Sequence, residues 1–554
     1  MKIQKMQKGL KHLLKNSGLF NIYLSLILLT LLSCKHNSSK KATAVFHYNQ
    51  VNYINSLDPA FAKTQNNIWA VDHLFNQLVD LNDSMKLKPE LAKTWTVSSD
   101  GLHYLFVIRK DAFFIDDSCF KTRIDRHVTA FDVAFSFNRL MDPKLSSPGS
   151  WIFKDKIDSI EGIKALNDSV LSIKLKAPFA PFLKLLSMQY CSVIPPEAQS
   201  YYGKDLYKNP VGTGAFRLVK WLDRKGIFMA ANPDYFDKKS FHLNGIRISF
   251  MEDRNTAYLE FLKNEIDFFS GLQSGYAFQL VDKTGTLRED KKNKLQLLKG
   301  DFLNTEYIGF NFELIHKNHP LFDKRIRQAL NYAIDRNSMI QLLKFGIGTP
   351  ASAGFIPKGL PSFDPSKVIG YDYNPDKAKR LLSEAGYSNK KGFPELIIHT
   401  NKDYVDLITY VAKQWEEIGI PVRIELAETA TLREKMRLSE YQIFRASWIA
   451  DYPDEESFLT VFYSKNPAPP NYTRFKNEAF DALYETAIKE TNELKRIQYY
   501  QQMDQILIDE APVIFLFYDQ TAWFTQNHIL NIKPNPINLL KLDGVTELDK
   551  TNIN

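Results

Sequence analysis

Cysteine is scarce, with three in 554 residues, too few for a disulfide framework. Glycine and proline, at 24 and 25, are too sparse for a collagen-like or broadly disordered chain. A surplus of one charge is also missing from the body of the protein. The net charge is +8, but Lys2, Lys5, Lys8, Lys11 and Lys15 lie in the first 33 residues, which hold no acid. The remaining residues carry only +3 and no basic stripe, which argues against nucleic-acid binding. No apolar run after residue 34 is long enough to span a bilayer. The eleven histidines show no His-x-x-x-His spacing, and Cys-x-x-Cys, Gly-x-Ser-x-Gly and P-loop patterns are absent. Gly212-Thr213-Gly214 lacks the third glycine of a dinucleotide fingerprint and reads as a tight turn. Carboxylates are plentiful, yet nothing singles out a pair of them for glycoside hydrolysis. Neither catalysis, nor a cofactor, nor a metal site is expected.

What is present begins with an export signal. A lysine-bearing stretch ends at Lys15, an apolar run covers Leu19–Leu29, and Leu31-Leu32-Ser33-Cys34 closes it. That ending resembles the bacterial lipoprotein signal, which implies cleavage before Cys34 and a lipid on its thiol. The alternative is a transmembrane anchor. Residues 34–43 read as a polar tether, and the rest is expected to work outside the cytoplasm. Cys119 and Cys191 read as buried or free rather than paired.

The body is 44% hydrophobic with many aromatics, and its length suggests two to four domains. Leu102, Tyr104, Phe106 and Ile108 alternate with other residues as a strand does. Thr129 with Asp132 predicts a capped helix that stops at Asp142-Pro143. Asp323 predicts the start of one long helix, with Ile326, Leu330, Ala333 and Ile334 on one face and Gly346 at its end. Asn374-Pro375 starts another helix, which Gly386 closes. A helix over 404–418 ends at Gly419 and leads into a strand at Val422–Leu426; two helices over 477–510 precede a strand at Val513–Tyr518. The pattern is α/β with several βα units. Turn-rich breaks fall at Lys208–Gly214, Glu289–Lys294 and Asn466–Pro470.

The most informative segment is Tyr441–Asp454. Residues 441–450 are apolar enough for a buried strand, ended by Pro453. Arg445 and Asp451 lie six residues apart, on one face of an extended chain but about 20 Å from each other. An extended zwitterion would satisfy both. Alternatively, Arg445 pairs with another acid and Asp451 caps the turn at Tyr452-Pro453.

Arg445-Ala446-Ser447-Trp448-Ile449-Ala450-Asp451-Tyr452-Pro453-Asp454 resembles the extracytoplasmic solute-binding proteins of ABC transporters, in the oligopeptide/dipeptide-binding family 5. So do Ser56-Leu57-Asp58-Pro59, Leu74–Leu78, Leu91–Trp95, Asp100–Tyr104, Val128–Val133, Asn209–Arg217 and Arg325–Arg336, in the family's order along the whole chain after about residue 44.

The resemblance implies a bilobal α/β fold of the type II periplasmic-binding-protein kind, in its large three-domain form, with a hinge and an interlobe cleft. One lobe would be discontinuous (44–83, 206–300 and 509–554), with an additional domain (84–205) packed on it and an opposing lobe over 301–508. The implied function is capture of short peptides and delivery to an ABC permease, by a monomer tethered to the membrane through Cys34. Asp451 would hold the peptide ammonium and Arg445 its carboxylate. Ser447, Trp448 and Ile449 would form one backbone-binding strand and Lys63, Thr64 and Gln65 the other, with Trp448 either lining a pocket or packing in the core. A second carboxylate-binding arginine found in some members is replaced here by Met436. Asp454-Glu455-Glu456 reads as a solvated helix start rather than a metal site. The same resemblance extends to binders of nickel chelates, haem, oligosaccharides and signalling peptides; a surface adhesin or hydrolase is the reading from another class.

Overall fold

The computed structural model describes residues 44–121, 126–157, 162–387 and 392–548. Cys34, the leader and the tether lie outside them. The described chain is bilobal. One large mixed sheet runs through both halves, in the order Val422–Leu426, Leu396–Thr400, Ile443–Ile449, Leu295–Phe310, Val513–Gln526, Phe268–Ser270, Val45–Gln50, Gly245–Phe250, Gly226–Ala231 and Phe216–Leu222.

Two antiparallel strands, Leu295–Phe310 and Val513–Gln526, pass from one half to the other. Leu295–Asp301 pairs with Gln526–Gln520, and Thr305–Gly309 pairs with Tyr518–Val513. Between these stretches the register breaks, at Asp301/Thr305. A break of this kind bends a strand and re-aims the residues beyond it, so the halves turn toward each other there. Past the break, Asn304–Phe310 pairs with Ile449–Ile443 and carries the Tyr441–Asp454 segment into the cleft.

A separate antiparallel sheet orders Ala92–Val97, His103–Ile108, Val170–Lys174 and Ile163–Asn167. Its His103–Ile108 strand buries Tyr104, Phe106 and Ile108 and exposes the alternate residues, as the period of two requires. Helix Ala130–Met141 above it carries the full capping box between Thr129 and Asp132. Hydrophobic packing forms one large core around residues 44–250, which also takes in Trp523 and Tyr452, and further cores that hold Leu303–Tyr518.

Two expectations change. The helix from Asp323 ends at Tyr332, and a second helix, Arg336–Leu343, starts on its own cap, Asp335. The cause is Arg336, whose buried guanidinium takes the carbonyls of Asn331 and Ile334 along with that of Phe515. It thereby satisfies acceptors that a continuing helix would need. Gly212 and Gly214 do not make a tight turn; they allow two backbones to touch. A Cβ on Gly212 would lie 2.1 Å from the Leu74 carbonyl oxygen, and one on Gly214 2.3 Å from the Leu74 carbonyl carbon. Cys119 and Cys191 are buried free thiols. No described helix is long and apolar enough to cross a membrane.

Candidate functional site

Burial along Ile443–Ile449 fades from complete at its start to half-exposed at Ile449. One edge of the strand is fully paired with Asn304–Phe310. On the other edge, only Ile443 and Phe444 pair, with Ile398 and His399. Among the described residues, the far edge of Arg445–Ile449 therefore has no strand partner, and its peptide groups are open to one.

Arg445 sits in the buried part of this strand and has a partner within the protein. Its Nε donates to Glu306 Oε2 at 3.0 Å, a second guanidinium nitrogen bonds the same oxygen, and its carbon lies 3.1 Å from the Tyr404 ring centroid. Glu306 faces Ser447 across the sheet, so the pair is the diagonal cross-strand kind. Glu306 is 1% exposed; burial pushes its carboxyl up and Arg445 pulls it back. Arg445 is not in the lining of the cavity between the halves. Of the two alternatives open in the sequence, pairing with another acid is the one the structure holds.

Asp451 lies past the strand end, and its N–H donates to Ser457 Oγ at 3.1 Å. Its carboxylate has no hydrogen-bond or ion-pair partner among the described residues. It opens into a cavity of about 600 Å³ between the halves. The protein walls crowd it, and this burial, with Glu456 nearby, pushes its pKa up to about 6. Ile449, Ala450, Tyr452 and Pro453 complete this wall; Lys63, Gln65, Trp69, Trp151, Gln189 and Tyr190 stand on the opposite one.

The other residues singled out from sequence divide. Lys63 and Gln65 reach the cavity; Thr64 is the N-cap residue of helix Gln65–Leu74 and lies beside it. Ser447 and Trp448 are not in the cavity wall. The Trp448 indole N–H donates to the Ser457 carbonyl, and its half-buried ring packs on the core of its own half.

Sequence reasoning missed Gln189, Trp151, Tyr190 and Lys184. Gln189 Nε2 donates to Asp72 Oδ1 at 3.1 Å, and Asp72 pairs with half-buried Lys541, which also holds Asp80. The cavity wall is thus tied to a half-buried charge cluster in which desolvation, with Asp80 beside it, raises Glu90 to about 7. The only sequence signal for Lys184 was a lone cation in the apolar stretch Phe179–Met188.

The two halves touch beside the cavity. Ala180 N–H donates to the Ile488 carbonyl at 2.7 Å, and Lys184 Nζ lies 3.0 Å from Asp454 Oδ2. Tyr452 reaches across into the opposite core, its ring 6.4 Å from that of Trp151. Asp454, Glu455 and Glu456 are buried, not a solvated helix start. Asp454 takes Lys184 and the Tyr500 hydroxyl, Glu455 accepts the Ser362 N–H, and Glu456 accepts the hydroxyls of Tyr452 and Tyr484. No cluster of His, Cys, Asp and Glu suited to a metal occurs among the described residues.

Residues 86–470 match the bacterial extracellular solute-binding proteins, family 5, in the family's middle region. Heme-binding protein A of Haemophilus influenzae is 31% identical over 461 residues, covering 80% of this chain and 81% of that protein. The dipeptide-binding protein of Escherichia coli is 26% identical over 462 residues, covering 80% and 83%. Among solved structures, the periplasmic binding protein DppA of Helicobacter pylori, in complex with the peptide STSA, superposes with a TM-score of 0.73 at 25% identity. That match covers 92% of this chain and all of that one. With the fold, the interlobe cavity and these matches in agreement, the chain belongs to the bacterial extracellular solute-binding proteins of family 5.

Proposed function

We propose that this protein is the substrate-binding component of an ABC importer, a monomer that closes on short peptides and presents them to the permease without catalysing a reaction. The observation that carries the reading is the Asp451 carboxylate, which has no partner among the described residues and faces the cavity next to a free strand edge. A peptide ammonium supplies the missing partner, and an extended peptide backbone supplies hydrogen bonds to Ser447–Ile449 on one side and Lys63–Gln65 on the other. In this reading the lobes are 44–83 with 206–300 and 509–554, the additional domain 84–205, and the opposing lobe 301–508. They rotate at the register break of the two long strands. A lipid on Cys34 tethers the chain to the membrane.

The relative named for haem gives a second cargo a hearing. The cavity wall here includes neither histidine nor cysteine and offers a single cation, Lys63, a poor match for the iron and two propionates of haem. Mass spectrometry of the small molecules released when the purified protein is denatured tests the reading. Short peptides in stoichiometric amount support it; haem, a chelate or a sugar in their place overturns it.

A further inference from the structure

The residues lining the interlobe cavity include one anion and one cation, Asp451 and Lys63, on opposite walls. Each is exposed to the cavity, and neither side chain has an ion-pair or hydrogen-bond partner among the described residues. Three other cations near the cleft already have acidic partners. Arg445 is held by Glu306, Lys184 by Asp454, and Lys541 by Asp72 and Asp80. Lys63 is fixed at its backbone, where its N–H donates to the Phe61 carbonyl at 2.7 Å, just ahead of helix Gln65–Leu74. Its four-carbon stem leaves the ammonium free to follow an incoming anion.

We infer that Lys63 is the carboxylate anchor of this binding site: it pairs with the C-terminal carboxylate of the bound peptide while Asp451 holds the ammonium. This rests on the peptide reading above and adds a specificity to it. With Arg445 neutralised inside its own half, a ligand carboxylate entering the cavity finds Lys63 as the one cation on the wall. The site then selects for a small zwitterion whose two charges, at the ends of an extended chain lying between the walls, match the spacing from Asp451 to the reach of the Lys63 ammonium. Because an extended peptide advances about 3.3 Å per residue, the preferred length reports the Lys63–Asp451 gap in those steps. Closure of the two halves strips water from both pairs and strengthens them together.

The test compares di- to pentapeptides with free and amidated C-termini, titrated calorimetrically into the wild-type protein and into Lys63→Met. The wild type is expected to prefer the acid at one length by roughly tenfold, between the values for exposed and desolvated pairs. In Lys63→Met that preference should vanish, with both forms binding as the wild type binds the amide. Lys63 is exposed, so the variant is expected to fold, and continued loss of binding on N-acetylation confirms that its Asp451 end still works. An acid preference that survives in Lys63→Met, or that is absent from the wild type, overturns the inference while leaving peptide capture standing. Uptake of neither form by the wild type defeats the peptide reading, and this inference with it.

Discussion

Lys184 and Asp454 meet at 3.0 Å across the boundary between the two halves, Asp454 with no exposed surface. Lys184 lies on the helix Phe182–Leu185, whose apolar residues belong to the large first core. Asp454 precedes the helix Glu456–Leu459, which is packed in the other half. The pair joins the two halves beside the cavity and is expected to favour the closed arrangement.

Replacing Lys184 with Met is therefore expected to penalise the closed state, in which buried Asp454 loses its cation, more than an open one. Removing one partner of a buried pair costs roughly 3–5 kcal/mol, and that cost passes directly into ligand affinity. A loss of at least about a hundredfold in peptide affinity is expected from calorimetry, with a larger radius of gyration for the liganded protein in solution scattering. Unchanged affinity would show that the pair is incidental to closure.

The raised pKa of Asp451, about 6, predicts a pH dependence of definite sign. A ligand ammonium needs the carboxylate form. Peptide affinity should be flat above pH 7 and fall as pH drops through 6, by about tenfold per unit below it, with proton release on binding near pH 6. Stability of the empty protein runs the other way. A carboxyl whose folded pKa exceeds its unfolded value costs stability above the folded pKa, and the cost is relieved as pH falls toward the unfolded one. Asp451→Asn should accordingly melt no lower than wild type at pH 7 while losing peptide binding. Thermal melts and titrations between pH 5 and 8 check both halves of the statement.

Arg445 and Glu306 should behave as a structural pair. Arg445→Met strands a carboxylate that is 1% exposed and is expected to cost about 3–5 kcal/mol in urea unfolding. Adding Glu306→Gln should restore much of the loss, because the stranded charge goes with it. The double variant should keep the wild-type ratio of free-acid to amidated peptide affinity. A collapse of that ratio would return Arg445 to the binding site.

A close backbone approach is the cause of a third stability effect. Gly212→Ala places a Cβ against the Leu74 carbonyl and should lower stability by about 1–3 kcal/mol without altering which peptides bind. Chemical unfolding alongside a titration separates the two.

Much of the fold was legible where the signal is local. The alternation at Tyr104, Phe106 and Ile108, the Thr129–Asp132 capping box, and Asn374 and Gly386 at the two ends of one helix all depend on neighbours a few residues apart. The break after Tyr332 was not legible. It depends on the Arg336 guanidinium reaching carbonyls on two elements, one of them contributed by Phe515, 179 residues away. Even spacing in Arg445–Asp451 suggested two charges on one face, but Asp451 falls beyond the end of the strand, and Glu306, 139 residues from Arg445, claims the guanidinium. A glutamate inside the otherwise apolar Thr305–Phe310 run was the available signal. The acidic run Asp454–Glu456 misled for the same reason: its partners Lys184, Tyr484 and Tyr500 are distant in sequence, and without them three consecutive acids read as solvated.

Capture of a peptide ammonium by Asp451 is the central claim. Its most direct test is calorimetric titration of the protein, unfolded and refolded to strip bound ligand, with di- to pentapeptides and their N-acetylated copies. The account predicts binding of the free peptides at one preferred length, lost on acetylation and lost in Asp451→Asn. Acetylated peptides that bind as tightly as free ones, or no heat with any peptide from protein shown to be folded, would contradict it.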